Sequence, residues 1–192
     1  MKALTCLALA ASLISARPPI PRDEPALAYN AIALIECGDY SGTAFWASRD
    51  RIITAYHVAG ERTCEIDGVT LTRVRADAAA DIAEYTGLPS RATVRVDCRA
   101  PRAGAVYWGV GWAFGSLRHT ARLTATGDRD DGAREPIARG MVAHHGAVYP
   151  GMSGGPVFDR QGRAVSMINR GTRVEPMMMQ GRALADTFLC QR

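Results

Sequence analysis

Residues 150–157 read Pro-Gly-Met-Ser-Gly-Gly-Pro-Val and place a serine among glycines. The glycines around Ser153 permit a tight turn that presents the hydroxyl outward and leaves backbone amides free to face a developing oxyanion. The segment therefore predicts a nucleophilic serine with an oxyanion site beside it. An ordinary glycine-rich hairpin loop is the alternative when the segment is taken alone.

A serine hydroxyl is a weak nucleophile near neutral pH, so this chemistry needs a histidine base and a carboxylate behind it. Of the four histidines, His57 ends the apolar run RIITAY, where a strand would deliver an imidazole to a cleft. Asp81 starts the run DIAEY, where a carboxylate can be partly buried against that imidazole. Asp77 is the near alternative, but its neighbours are alanines with no strand on either side.

The elements that must position these side chains are about a dozen short apolar runs, separated by turn residues, that begin near Tyr29. Their length and spacing favour strands. Their number predicts an all-β fold, either a sandwich or a pair of barrels. Near the C-terminus, ALADTFLC is the one stretch with the pattern of an amphipathic helix.

Three segments resemble the catalytic segments of trypsin-like serine peptidases, in the family's chain order of histidine, aspartate and serine. They are 54–57 (TAYH), 81–83 (DIA) and 151–156 (GMSGGP). The resemblance extends over nearly all of the predicted globular part. Residues 111–115 (GWAFG) look like the glycine-bracketed turn of the second barrel in HtrA-like bacterial members, and 162–169 (GRAVSMIN) resemble the strand after the nucleophile.

The resemblance implies two six-stranded antiparallel β-barrels of the chymotrypsin type, followed by a short C-terminal helix. The peptidase domain would span 29–192, with barrel one at about 29–100, barrel two at about 101–181 and the helix at about 182–190.

The resemblance also implies the roles in the site. Ser153 would attack the scissile carbonyl and form a covalent acyl-enzyme, with His57 as general base and Asp81 orienting the imidazole. The amides of Gly151 and Ser153 would form the oxyanion hole. Animal digestive members carry an aspartate before the nucleophile that pairs with a new N-terminus, and Met152 stands there instead. The chain is thus similar to the compact bacterial HtrA-like branch, and we expect it to lack the PDZ domain usual there.

The same resemblance locates the substrate. The strand containing Asn169, Arg170 and Gly171 is expected to pair antiparallel with a peptide in extended conformation. Ala147, six residues before the nucleophile, takes the position at the floor of the specificity pocket. A preference for Lys or Arg would need a carboxylate there, so we expect a small or medium apolar residue on the acyl side of the cleaved bond.

The first sixteen residues have the composition of a secretory signal, with Lys2 ahead of an apolar stretch and small residues at Ser15-Ala16. A membrane anchor would need about 20 apolar residues, more than this stretch has. Residues 17–28 are rich in proline and charge and suit a linker or short pro-segment. We expect a secreted or periplasmic protein with no integral membrane segment after signal cleavage.

Four cysteines, Cys37, Cys64, Cys98 and Cys190, follow the signal, an even number that suits an oxidising compartment. Four cysteines permit three pairings, and the sequence alone does not choose among them. Our working assignment is Cys37–Cys64 and Cys98–Cys190. The cysteines are too dispersed for a zinc site.

Several other classes of function are disfavoured. The net charge is +4, and 22 of the 23 basic residues are scattered arginines, which argues against nucleic-acid binding. His144 and His145 are consecutive in a strand pattern and would point to opposite faces, so we expect no metal site. The methionines at 177–179 suit a core or pocket wall. No glycine-rich phosphate cradle is present, and no cofactor is expected.

Two competing functions remain. An inactive homologue could keep the fold and serve as a binding module, although all three catalytic residue types are present. An esterase could use the same nucleophile, but the nucleophile elbow and the Ser, Asp, His order of the α/β-hydrolases are absent.

Overall fold

The computed structural model describes residues 24–127, 141–171 and 178–191. The predicted signal, residues 1–16, and most of the predicted linker lie outside these segments. Where the linker is described, Leu27 and Ala28 pack against the core of the first sheet.

The chain folds into two antiparallel β-units. The elements of the first unit, barrel one, are the 3-10 turn Tyr29–Ala31, β1 (Ile32–Cys37), β2 (Tyr40–Ser48), β3 (Arg51–Thr54), the helical turn α1 (Tyr56–Ala59), β4 (Cys64–Ile66), β5 (Val69–Thr70), β6 (Thr72–Asp77) and β7 (Ile82–Thr86). Those of the second unit, barrel two, are β8 (Val106–Ala113), β9 (Leu117–Gly127), β10 (Met141–His145), β11 (Pro156–Phe158), β12 (Ala164–Gly171) and β13 (Met178–Ala183).

Barrel one is a seven-stranded sheet in the order β5-β4-β1-β2-β3-β7-β6, not the six strands expected. The extra strand arises at Leu71, the single residue between β5 and β6. Its side chain is buried and its amide donates to the carbonyl of Cys64, which bends the chain there. Because β5 and β6 lie at opposite edges of the sheet yet are joined by one residue, the chain itself closes the unit.

Barrel two is a closed six-stranded barrel in the order β10-β13-β12-β11-β8-β9. Its interior contains Leu123, Val157 and Ile168, each at most 1% exposed. A second core lies around Phe45 and Ile52 of barrel one and extends into barrel two through Val110, Phe158 and Met167. Burial of each such side chain stabilises the fold by roughly 1.5–3 kcal/mol, and the shared cluster also holds the two barrels together. The expected pair of chymotrypsin-like barrels is confirmed.

Strand β2 lies where the two units meet. Its residues 42–46 are buried without interruption, whereas a strand with one solvated face would alternate between buried and exposed positions. One face packs into the core of barrel one, and Thr43 bonds to barrel two on the other. The seam between the barrels is therefore built around β2.

The C-terminal helix expected at 182–190 is reduced to a 3-10 turn, Leu184–Asp186. β13 continues through Ala183, and Thr187 takes an extended conformation that ends the turn. The Thr187 hydroxyl donates to the Leu184 carbonyl over 2.8 Å, so it binds the backbone locally and does not allow the helix to continue.

Both disulfides of the working assignment are present, Cys37–Cys64 and Cys98–Cys190. The first lies within barrel one. The second joins the segment between the barrels to the chain after β13. In the described segments no helix is long and apolar enough to cross a membrane. Nor do three or more His, Cys, Asp or Glu side chains of those segments form a group that could hold a metal ion.

Candidate active site

His57 is the second residue of α1, a single helical turn directly after β3, and not the end of a strand as the sequence suggested. Gly60 ends the turn at φ +50°, a conformation that favours glycine, and its amide donates to the Tyr56 carbonyl. The residues after His57 in α1 are buried and anchor the turn. The imidazole itself remains 45% exposed at the seam.

Asp81 lies beside this imidazole and contacts His57 through both carboxylate oxygens. Oδ1 accepts from the His57 backbone amide over 2.8 Å, and Oδ2 lies 2.8 Å from Nδ1. An ionised carboxylate only accepts hydrogen bonds, so it selects the tautomer with a proton on Nδ1. Nε2 is then left with a lone pair, which is the arrangement a general base requires.

The backbone of Asp81 is in the left-handed region, at φ +51°. This conformation costs most residues about 1–2 kcal/mol, while Asp and Asn tolerate it best. Asp77, the alternative carboxylate, has another role, because its Oδ1 accepts from the Ala80 amide over 2.9 Å. Asp77 thus closes the turn that brings Asp81 to His57.

A polar cluster supports the end of α1. The Tyr56 hydroxyl donates to Glu61 over 2.8 Å, and Arg73 donates to the same carboxylate over 2.7 Å. These two hydrogen bonds lower the pKa of Glu61 below its usual value, and the bond from Tyr56 has the larger effect. Glu61 is exposed and its two donors are only partly buried, so the contribution of the cluster to stability is small.

The backbone of the loop around Ser153 is fixed by both barrels. The Ser153 carbonyl accepts from the Thr43 amide over 2.7 Å, and the Gly154 amide donates to the Ile168 carbonyl over 2.7 Å. Gly154 has φ +88°, and a Cβ there would lie 2.9 Å from the amide nitrogen of Ala55. Because Ala55 immediately precedes α1, this close approach places the serine loop next to the histidine turn.

The hydroxyl of Ser153 does not bond to His57. Its Oγ donates to the backbone carbonyl of Asn169 over 3.1 Å. The structure therefore brings His57 and Asp81 into direct contact and places the serine loop next to the histidine turn, with the Ser153 hydroxyl turned toward β12.

Hydrogen bonds to two carbonyls fix the orientation of the peptide groups in the serine loop. The Pro150 carbonyl accepts from the Phe114 amide over 2.6 Å, and the Met152 carbonyl accepts from the Gly155 amide over 3.0 Å. In a trans peptide the N–H points opposite to the carbonyl, so the amides of Gly151 and Ser153 are directed away from these bonds. Neither amide has an acceptor among the described residues. The Met152 side chain is buried in the core of barrel two.

Thr43 is a residue that the sequence analysis overlooked. It is fully buried, its Oγ1 donates to the Gly151 carbonyl over 2.9 Å, and the same oxygen accepts from the Trp112 amide over 2.8 Å. One hydroxyl thus connects β2, the serine loop and β8. The available signal was a hydroxyl residue at the start of the apolar run Ala44-Phe45-Trp46.

The predicted substrate-binding residues lie around the serine loop. Ala147 is exposed, and Asn169 is buried with its carbonyl on the Ser153 hydroxyl. The backbones of Arg170 and Gly171 pair with β13, opposite Gln180 and Met179.

The histidine pair and the methionine run singled out from the sequence are described only in part. His144 and His145 are consecutive residues of β10, and their side chains lie outside the described part of the structure. Met177 also lies outside it, while the backbones of residues 178 and 179 belong to β13.

Comparison with known proteins bears on the family and the fold. The family model for the trypsin-like peptidase domain matches residues 42–167. No curated protein sequence gives a significant match. Solved structures with a similar fold include the Rv3671c protease of M. tuberculosis, in its active form at TM-score 0.67 and 21% identity, covering 80% of this chain and 76% of that one. Its inactive form gives 0.66 and 22%, covering 80% and 83%. The HtrA-type protease AlgW with a tripeptide gives 0.69 and 16%, covering 80% and 56%.

The family match covers well over half of the chain, and the chain therefore belongs to the trypsin-like peptidase family. The predicted class of enzyme, a serine endopeptidase, is confirmed. The fold is similar to that of HtrA-type proteases, as the sequence motifs indicated.

Proposed function

We propose that the protein hydrolyses peptide bonds with Ser153 as nucleophile, His57 as general base and Asp81 as the group that orients the base. The observation that carries this proposal is the two-point contact of Asp81 with His57, next to a serine loop fixed by both barrels. The three residues come from distant parts of the chain, and the proposal is supported by the close approach of Gly154, after Ser153, to Ala55, before α1.

The proposed reaction begins when the Ser153 hydroxyl leaves the Asn169 carbonyl and turns toward Nε2 of His57. Nε2 takes the hydroxyl proton while Oγ attacks the peptide carbonyl. The protonated imidazole then gives this proton to the leaving amine, and an acyl ester remains on Oγ. A water molecule repeats the sequence, which releases the carboxylic acid and restores the serine.

The tetrahedral intermediate carries a negative oxygen that needs hydrogen-bond donors. The amides of Gly151 and Ser153 suit this role because no described residue accepts from them. In enzymes of this mechanism, removal of one such donor costs about 2.7–4 kcal/mol in the rate-limiting barrier. The Pro150 carbonyl, held by the Phe114 amide, supports the outward direction of the Gly151 amide.

The substrate is proposed to be an extended peptide along β12. One edge of β12 pairs with β13 as far as Gly171, whereas β11 covers the other edge only as far as Met167. Beyond it, Ile168 bonds to the serine loop. Apart from the Asn169 carbonyl, which accepts from the Ser153 hydroxyl, residues 169–171 therefore have a strand edge without a described partner, where a peptide backbone can add.

We further propose a preference for a small or medium apolar residue on the acyl side of the bond, because Ala147 supplies no charge at the pocket position. Cleavage-site profiling with a peptide library tests this. A profile dominated by Arg or Lys would contradict it.

Export to an oxidising compartment is proposed from the leader composition and is supported by the two disulfides. N-terminal sequencing of protein recovered outside the cytoplasm is expected to begin after residue 16. Recovery of only the intact leader would contradict export.

The test of the proposed chemistry is labelling with a fluorophosphonate, which reacts with activated serines. The chain should label at one site, and Ser153→Ala should abolish labelling and lower kcat by about 10⁶-fold. Ser48→Ala, a half-buried serine at the far end of β2, is the matched control and should leave both unchanged. Absence of labelling in the folded wild-type chain would instead support the inactive binding module.

A further inference from the structure

Barrel two has a cavity of about 410 Å³ that is separate from the serine loop. Its walls are the segment that enters β8, around residues 97–107, and the turn from Asp159 to Arg163 between β11 and β12. β11 leads from the serine loop at one end to this turn at the other. The cavity therefore opens at the end of barrel two opposite to the nucleophile.

The floor of the cavity is a chain of alternating charges. Arg163 lies between two carboxylates, 3.1 Å from Asp97 and 2.5 Å from Asp159. Arg99 donates to Asp97 from the other side over 2.6 Å. The hydrogen bond from Arg99, against a smaller opposing effect of burial, lowers the pKa of Asp97, so this carboxylate is ionised at neutral pH.

The oxygens of both carboxylates are already occupied. Besides Arg163, Asp159 accepts from the backbone amides of Gln161 and Arg163 over 2.9 Å each. Asp97 accepts from the Arg99 amide as well as its guanidinium. These carboxylates are therefore not available to neutralise further arginines.

Two more arginines line the cavity, Arg102 and Arg160. Both are exposed, and no carboxylate of the described residues lies within ion-pair distance of either. Four arginines against two aspartates leave the lining with a formal charge of 4 − 2 = +2. Each free guanidinium offers a planar fork of donors that matches the oxygens of a carboxylate or phosphate.

The backbone that carries these groups is fixed in three places. The Cys98–Cys190 disulfide sits between Asp97 and Arg99, and the Arg102 amide donates to the Tyr107 hydroxyl over 2.8 Å. The Gly162 amide donates to the Asp159 carbonyl and closes the turn that carries Arg160. Much of the cost of ordering the site is thus met in the free protein, which favours binding.

We propose that this cavity is a binding site for a small polyanion, a molecule with two or more carboxylate or phosphate groups, held between Arg102 and Arg160 above the Arg163 floor. The site is independent of the proposed catalytic residues. Ligand binding to the folded state would stabilise the fold by mass action.

The experiment uses the purified chain carrying Ser153→Ala, so that self-cleavage cannot interfere and the result does not depend on proteolysis. Pyrophosphate and citrate are titrated separately by isothermal calorimetry, with sodium chloride at equal ionic strength as the reference. We expect saturable one-to-one binding of at least one of them and a matching rise in Tm. Binding of pyrophosphate alone assigns the site to phosphate groups, and binding of citrate alone assigns it to carboxylates.

The variant Arg102→Ala/Arg160→Ala should weaken this binding by at least about tenfold, because charge-assisted hydrogen bonds are lost. The control is Arg49→Ala/Arg91→Ala, which removes the same charge from exposed positions outside the cavity. Equal weakening in both double variants, or heats that follow ionic strength alone up to about 10 mM ligand, would overturn the proposal.

Discussion

The proposed catalytic residues of barrel one are hydrogen-bonded to each other, whereas the proposed nucleophile of barrel two is not bonded to them. In barrel one, Asp81 and His57 are joined by two hydrogen bonds of 2.8 Å. In barrel two, the backbone around Ser153 is fixed, but the hydroxyl donates to Asn169 and not to the imidazole. In the proposed triad, the base and its orienting group would thus be assembled before substrate arrives, and the Ser153 hydroxyl would have to leave Asn169.

Among variants that keep Ser153, the largest expected effect comes from the barrel-one side. In Asp81→Asn, the side-chain amide would favour the wrong imidazole tautomer, and kcat should fall by about 10⁴-fold. Asp77→Asn is the matched control, since its side-chain oxygen can still accept from Ala80. Peptide hydrolysis rates at saturating substrate measure both. Similar losses in the two variants would show that the carboxylate acts through the fold and not through the imidazole.

The two disulfides allow the barrels to be loosened separately. Their cysteines are 92 residues apart for Cys98–Cys190 and 27 for Cys37–Cys64. Chain-entropy arguments give losses of at most about 4.6 and 3.5 kcal/mol when each is removed by Cys→Ser at both positions. We expect the Cys98–Cys190 variant to unfold at lower denaturant concentration. It should also lose more activity, because that bond joins the segment between the barrels to the end of barrel two. An equal loss of activity would argue against this division.

A substitution of Thr43 tests how the serine loop of barrel two is held. Thr43→Val keeps the shape but removes the hydroxyl that holds the Gly151 carbonyl, so the oxyanion amides should be less well aligned. We expect kcat to fall by roughly tenfold or more, short of the 10²–10³ for a lost donor, with KM little changed. Affinity for a peptide boronate, which forms a tetrahedral adduct, should fall in parallel.

Thr43→Ser retains the hydroxyl and should restore most of the rate. If Ser and Val lowered kcat equally, packing and not the hydrogen bond would account for the effect.

The smallest expected effect concerns Glu84, whose ion pairs with Arg51 and Arg75 join strands of barrel one. Glu84 is buried, which by itself raises its pKa, but hydrogen bonds from Arg51 and Arg75 outweigh burial, and the net pKa is lowered. A lowered folded-state pKa gives stability above the unfolded-state pKa of about 4.3 that is lost as pH falls. The gap in free energy of unfolding between wild type and Glu84→Gln should therefore narrow from pH 7 to pH 3. A constant gap would contradict this role.

Much of this organisation follows from the sequence. Strand spacing predicts the all-β fold because period and turn residues report on local structure. His57, Asp81 and Ser153 could be proposed because each sits in a short motif whose residue types match one chemical role.

The remaining features depend on contacts between distant segments. The bond from Ser153 to Asn169 spans 16 residues, and that from the Thr43 hydroxyl to the Gly151 carbonyl spans 108. Nothing local to Thr43 encodes such partners. The prediction of a C-terminal helix was wrong for the same reason. β13 extends through Ala183 and the Thr187 hydroxyl bonds to the Leu184 carbonyl, and these contacts override the amphipathic pattern of the segment. The arginines of the cavity are individually unremarkable in sequence and acquire meaning only where the segments converge.

The exposed turn at Ala103-Gly104 separates the strand set that carries His57 and Asp81 from the set that carries Ser153. A gene cut at this point would yield two polypeptides, each with part of the proposed triad, so turnover would report their association. Cys98 and Cys190 would fall on different fragments, and air oxidation could then lock a reassembled pair covalently. The two fragments would thus report on their own association through peptide hydrolysis, and formation of the Cys98–Cys190 disulfide would make that association covalent.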